Sequence, residues 1–222
     1  MKHQQSGFTL VEIAIVLVIV GLLLGGVLKG QELINSAKAK SYASDFRTIQ
    51  TALYGFQDRF KGIPGDLAGA GTKITGATLA TSPATAPGGP VGNGNIGGAW
   101  DSTTGTDESC LAWQHMRLAG FLAGNTIANC ALGDPYLQIN ADGGRIGISS
   151  LMQMTAPTAM TGTYNICSTG VVGKIAKQLD TQLDDGNSLT GSFRVAEIAA
   201  PTTAITTALT LDANSYLVCL AF

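Results

Sequence analysis

Read as a string of apolar and polar positions, the chain changes regime twice. From Phe8 to Leu28 the side chains are apolar or small, and Glu12 is the only ionised one. About 21 such residues make roughly 30 Å of helix, enough to cross a bilayer. Further on, Tyr42, Phe46, Ile49, Leu53, Phe56 and Phe60 recur at alternating spacings of four and three. That is one stripe of an amphipathic helix. Lys38, Lys40, Asp45, Arg47, Asp58 and Arg59 fall largely on other faces. The stripe stops at Lys61-Gly62-Ile63-Pro64-Gly65-Asp66, because glycine and proline end helices. One helix from Phe8 to about Lys61 would be on the order of 80 Å long, abnormal for a globular protein. Its first half asks for lipid or other helices, its second half for a sheet.

Beyond residue 66 the patterns shorten. Residues 67–105 are rich in Gly, Thr, Ala and Pro and poor in large apolar side chains, which predicts a long surface loop. Asp107–Leu122 reads as a helix, with Thr106 or Asp107 as its cap and Gly124 as its end. Tyr136–Asn140 and Arg145–Met154 read as strands joined by the turn Ala141-Asp142-Gly143-Gly144, and Thr163–Ser168 as another strand. Val171–Leu183 carries apolar residues at 172, 175, 179 and 183 and predicts a second short helix, closed by Asp184-Asp185-Gly186-Asn187. Ser192–Ile198 and Ser215–Phe222 are the last predicted strands. The expected class is α+β, with antiparallel strands packed on the amphipathic half of the long helix. The expected organisation is a leader at 1–7, a membrane helix at 8–28, an amphipathic half at 29–61, and a globular domain at 62–222.

The leader changes the reading of the apolar run. A cleavable secretory signal has a shorter apolar core with its small-residue cut site behind it. Here the small residue, Gly7, stands in front, and cutting there leaves the helix on the product. Lys2 and His3 precede the run, while Lys29, Lys38, Lys40 and Arg47 follow it, so charge gives little orientation information. Glu12 has two readings. Near the helix start, the dipole and lipid headgroups soften the cost of a carboxylate. Alternatively, a cut after Gly7 gives Phe8 a free amine four residues away, which could neutralise Glu12 within one chain or between chains.

Gly7-Phe8-Thr9-Leu10-Val11-Glu12 resembles the cleavage and methylation motif of type IV prepilins and of the related pseudopilins of type II secretion. The close resemblance covers about residues 1–30. It implies that a prepilin peptidase cuts Gly7–Phe8 and methylates the Phe8 amine. It implies a single-pass subunit of the bacterial inner membrane with a periplasmic C-terminal domain. With an assembly platform and with other copies, that subunit enters a surface pilus serving adhesion, motility or DNA uptake, or a periplasmic pseudopilus. Glu12 would pair with the N-terminus of a neighbour during assembly. The implied fold is the pilin fold. Lys29 departs from the resemblance, standing where many pilins carry a proline. Gly21, Gly25, Gly26 and Gly30 could supply flexibility instead, at roughly 1 kcal/mol each. They also form small-xxx-small pairs that permit close helix packing, although glycine is common in membrane helices generally. Gly62-Ile63-Pro64-Gly65-Asp66 and Leu183-Asp184-Asp185-Gly186-Asn187 resemble stretches of larger prepilin-type proteins.

Composition adds limits. The 222 residues suit one sizeable domain plus an anchor, and a net charge of −2 offers no basic field for nucleic acid. Cys110, Cys130, Cys167 and Cys219 allow three connectivities, with free thiols as the alternative. The favoured pairs are Cys110–Cys130 and Cys167–Cys219; the second is supported by the resemblance, since pilins often pin their C-terminal region by a disulfide. Gly92-Asn93-Gly94-Asn95-Ile96-Gly97 matches GxGxxG but lacks the strand before and the helix after that a dinucleotide site needs. Asn93, Asn95, Asp101 and Glu108 could offer oxygens to calcium without EF-hand spacing, and the adjacent Asp184 and Asp185 could bind a cation or act as paired acids. His115 would be the one histidine left after cleavage. No zinc, P-loop or GxSxG pattern accompanies it, so no cofactor is expected, and a membrane-anchored enzyme is the remote rival to a filament subunit.

Overall fold

A computed structural model describes residues 9–82, 91–205 and 214–222. The chain divides into two compact units, Met1–Ala37 and Lys38–Phe222. Among the described residues there are four α-helices: α1 (Leu10–Phe60), α2 (Ala70–Lys73), α3 (Glu108–Leu118) and α4 (Gly173–Leu183). The strands are β1 (Gln138–Ile139), β2 (Arg145–Ser149), β3 (Asn165–Val172), β4 (Phe193–Glu197) and β5 (Ser215–Ala221). They form one antiparallel sheet in the order β1-β2-β3-β5-β4. The class is α+β, a long N-terminal helix with an antiparallel sheet, as the periodicity predicts.

In the second unit, the stripe along α1 becomes the core. Tyr42, Phe46, Ile49, Leu53 and Phe56 are buried together with Ile146, Ile148, Ile166, Val218 and Leu220 of the sheet. Alternation along a strand sends the next residues to the other face. Leu217, Cys219 and Ala221 of β5 therefore join Cys167, Trp100, Met154 and Met160 in a second cluster. β3 and β4 each run antiparallel to β5, between them, so they are parallel to one another. Parallel strands need a crossover connection, and α4 provides it.

Four sequence expectations shift. The expected strands Tyr136–Asn140 and Arg145–Met154 shrink to Gln138–Ile139 and Arg145–Ser149. The first short helix ends at Leu118, not Leu122. Gly120 takes a left-handed φ of 81°, Gly120 N–H donates to Arg117 O and Phe121 N–H to Met116 O, which is a Schellman stop. Val171 and Val172 belong to β3 rather than to the helix that follows: they pair with Tyr216 and Ser215 beyond an irregularity between Ser168 and Val171. Lastly, the segment 67–105 is not simply a surface loop. Leu67, Ala70, Ile74, Ile96 and Trp100 are buried, and Ser149 Oγ donates to Gly98 O at 2.6 Å. Gly147 makes room for this crossing, since a Cβ there would stand 1.9 Å from Trp100 O. Residues 83–90 of the same segment lie outside the described residues.

Candidate functional site

The N-terminal unit starts α1 with a reciprocal cap. Thr9 N–H and Thr9 Oγ1 both donate to Glu12 Oε2 at 2.8 Å, and Glu12 N–H donates to Thr9 Oγ1 at 3.3 Å. This is a capping box, in which a threonine and a glutamate three residues later satisfy each other's backbone groups. It gives Glu12 a polar partner inside its own chain at the helix start. Behind the cap, apolar side chains cover every face: Leu10, Leu22 and Leu33 are 87, 73 and 62 % exposed. The helix is long and apolar enough to cross a membrane, and none of its most apolar stretch is buried by the protein. A helix apolar all round belongs in lipid or among other helices. A Cβ added at Gly21, Gly25, Gly26 or Gly30 would meet nothing within 4 Å, so the chain itself does not use the narrow surface those glycines create. All four sit inside α1, which continues through Lys29 without a break.

Residues 2–28 match the family model of the prokaryotic N-terminal methylation motif. The chain carries a prepilin-type N-terminus. No curated protein and no solved structure matches it. Of the residues the prepilin-type motif singles out, Gly7 and Phe8 lie outside the described residues, whereas Glu12 is placed at the helix start. Thr9 is the residue that sequence reasoning missed. Its signature, a threonine three positions before a glutamate at the head of an apolar run, is legible in the sequence.

The other candidates lie in the second unit. The cysteines pair as Cys110–Cys130 and Cys167–Cys219. The first closes a loop that includes Arg117, whose Nη1 donates to Asn125 O at 2.9 Å within the loop and to Tyr136 O at 2.8 Å beyond it. The second ties directly opposed residues of β3 and β5. The turn between β1 and β2 is clasped to α1 through Asp142, which pairs with Lys38 and accepts from Tyr42 Oη at 2.9 Å. Burial, with help from Asp142, pushes the Tyr42 phenol above its ordinary pKa and keeps it a donor.

The GxGxxG match turns out to be a cradle already filled. Gly92, Asn93 and Gly94 donate their backbone N–H groups to the Asp66 carboxylate. Such a nest of N–H groups suits an anion, and Asp66 of the Gly62–Asp66 stretch is the anion. Gly65, at φ 87°, passes so close to α3 that a Cβ would stand 2.2 Å from Glu108 O. Asn93 Oδ1 accepts from Asn95 N–H and Glu108 Oε2 from Gly97 N–H, at 2.8 and 2.6 Å, while the Asp101 backbone carbonyl accepts from Arg145. Burial pushes Glu108 up to about 7, Gly97 opposing and Asp66 and Asp107 adding to the rise. His115 is fully buried; Gly65 N–H donates to its Nδ1 at 2.9 Å and its Nε2 meets Thr78 O at 2.8 Å. Burial lowers its pKa, so the ring is neutral with Nε2 protonated, and both nitrogens serve the backbone. Asp184 and Asp185, by contrast, come together with a third carboxylate, Asp180.

Proposed function

We propose that the chain is a type IV pilin-like structural subunit rather than an enzyme. Prepilin peptidase cleaves Gly7–Phe8 and methylates Phe8. The helix over 8–28 then holds the subunit in the inner membrane with 62–222 on the periplasmic side. An assembly platform transfers it into a helical filament with other copies and other pilins. The observation that carries this reading is the methylation motif heading a helix that is apolar on every face and unburied by its own chain. In the membrane, Thr9 answers Glu12 through the capping box. In the filament, Glu12 gains the methylated amine of a neighbouring Phe8, and Gly21, Gly25, Gly26 and Gly30 let neighbouring helices approach closely.

Lys29, standing where many pilins carry a proline, favours a pseudopilin of type II secretion as the second reading. Two variants test the core claim. Glu12→Ala removes charge and cap together, whereas Glu12→Gln keeps an oxygen for Thr9 and removes only the charge. Both are expected to abolish filaments while leaving the subunit in the membrane; normal filaments from Glu12→Gln would refute the charge pairing. Deleting the gene and scoring pili against protein secretion separates pilus from pseudopilus.

A further inference from the structure

The end of α4 collects three carboxylates that the filament reading does not use. α4 buries Ile175, Ala176 and Leu179 on its inner face, and with them Asp180, which is 1 % exposed. Taking a carboxylate out of water without a partner is costly. Asp180 Oδ1 is nevertheless buried with no hydrogen-bond partner. The chain then leaves the helix and turns at Gly186, at φ 81°. Asp184 Oδ2 accepts from Phe193 N–H at 2.8 Å. Asp185 accepts from Asn187 N–H at 2.8 Å and from Thr190 Oγ1 at 2.6 Å. These bonds hold the loop in shape, and each oxygen keeps a further lone pair.

One oxygen from each of Asp180, Asp184 and Asp185 lies within 4.8 Å of the others. Oxygens bound to a common calcium ion at about 2.4 Å stand at such separations. Among the described residues, none of the three carboxylates forms an ion pair with a lysine or arginine. Arg194 is near enough to attract Asp185, but its guanidinium donates to Thr158. The group is therefore short of positive charge, and its donors are all hard oxygens, which suits calcium or magnesium rather than zinc or copper. An irregular loop with one buried, one half-buried and one exposed carboxylate suits the adaptable coordination of calcium better than the strict octahedron of magnesium.

We propose that Asp180, Asp184 and Asp185 form a divalent-cation site, selective for calcium, at the junction of α4 and β4. The ion neutralises Asp180 and ties the helix end to the start of β4, where Phe193 packs against Phe46 of α1.

The test is calcium titration of the full chain in detergent, by calorimetry and by thermal melting after chelation. One site with a Kd on the order of 10⁻⁴ M is expected, and a rise in Tm of about 5–10 °C at a hundredfold excess. Asp185→Asn, an exposed change that leaves the core untouched, and Asp180→Asn should each weaken binding at least tenfold. Absence of both heat and Tm shift in the wild type overturns the proposal. So does full binding by Asp185→Asn, which would put the ion elsewhere. Magnesium bound as tightly as calcium overturns the selectivity.

Discussion

One helix is used in two opposite ways. Between Leu10 and Leu28 its apolar side chains cover all faces and stay exposed, whereas from Lys38 onward they narrow to a stripe that is buried against the sheet. Both parts belong to one continuous helix. They differ in where the burial partner comes from. The second part finds it within the chain, and its side chains can be costed as core. Among the described residues the first part finds none, so its apolar surface stabilises nothing until something outside them covers it.

This contrast is broken most sharply by matched alanine substitutions. Phe46→Ala, at a fully buried position, should cost about 3–5 kcal/mol in the unfolding of the second unit. Leu17→Ala, 67 % exposed, should leave that transition unmoved; a comparable loss from Leu17→Ala would mean the two parts are not distinct. Removing the loop closure comes next. Replacing Cys110 and Cys130 together by serine should cost about 3 kcal/mol in the chain-entropy picture, read by denaturant melts.

Glu108 gives a smaller effect with a defined pH dependence. Its pKa is raised on folding from 4.5 to about 7. The folded state therefore holds a proton that the unfolded chain has lost above pH 4.5. The stability this contributes is present at low pH and is lost as pH rises through 7. Glu108→Gln can donate towards Asp66 at any pH, and should stabilise the second unit on the order of 2 kcal/mol at pH 8 with little gain at pH 4. His115 acts in the other direction, because its lowered pKa withdraws stability as pH falls below about 6.5. A Glu108→Gln melt that tracks the wild type at both pH values would show that the carboxyl is ionised in the fold. The smallest effect belongs to the helix start: Thr9→Ala should loosen the first turn of α1 by about 1 kcal/mol, seen as faster amide exchange at residues 10–13.

The same contrast explains what the sequence could and could not tell. Both parts of α1 are legible because an unbroken apolar run and a stripe at spacings of three and four are both local features of the sequence. The strands are legible from alternation, but their ends are not: Arg145–Met154 stops at Ser149, Tyr136–Asn140 narrows to Gln138–Ile139, and a register irregularity near Gly170 lets Val171 and Val172 imitate a helix start. The segment 67–105 was misread because backbone groups hold it, among them the N–H groups of 92–94 on Asp66 and Gly98 O on Ser149, and such contacts leave no apolar pattern. The burial of Asp180 leaves no mark in the sequence for a related reason. Nothing in a polar residue of an amphipathic helix announces that tertiary packing will bury it. The Thr9–Glu12 box is local, and its signature is a threonine three positions before a glutamate.

The central claim is that the N-terminal part of α1 is prepared by cleavage for partners outside its own chain. Mass spectrometry of the mature protein tests it most directly. The account predicts a chain that begins at Phe8 with a methylated amine. An intact Met1, or a cut at any other bond, would contradict it.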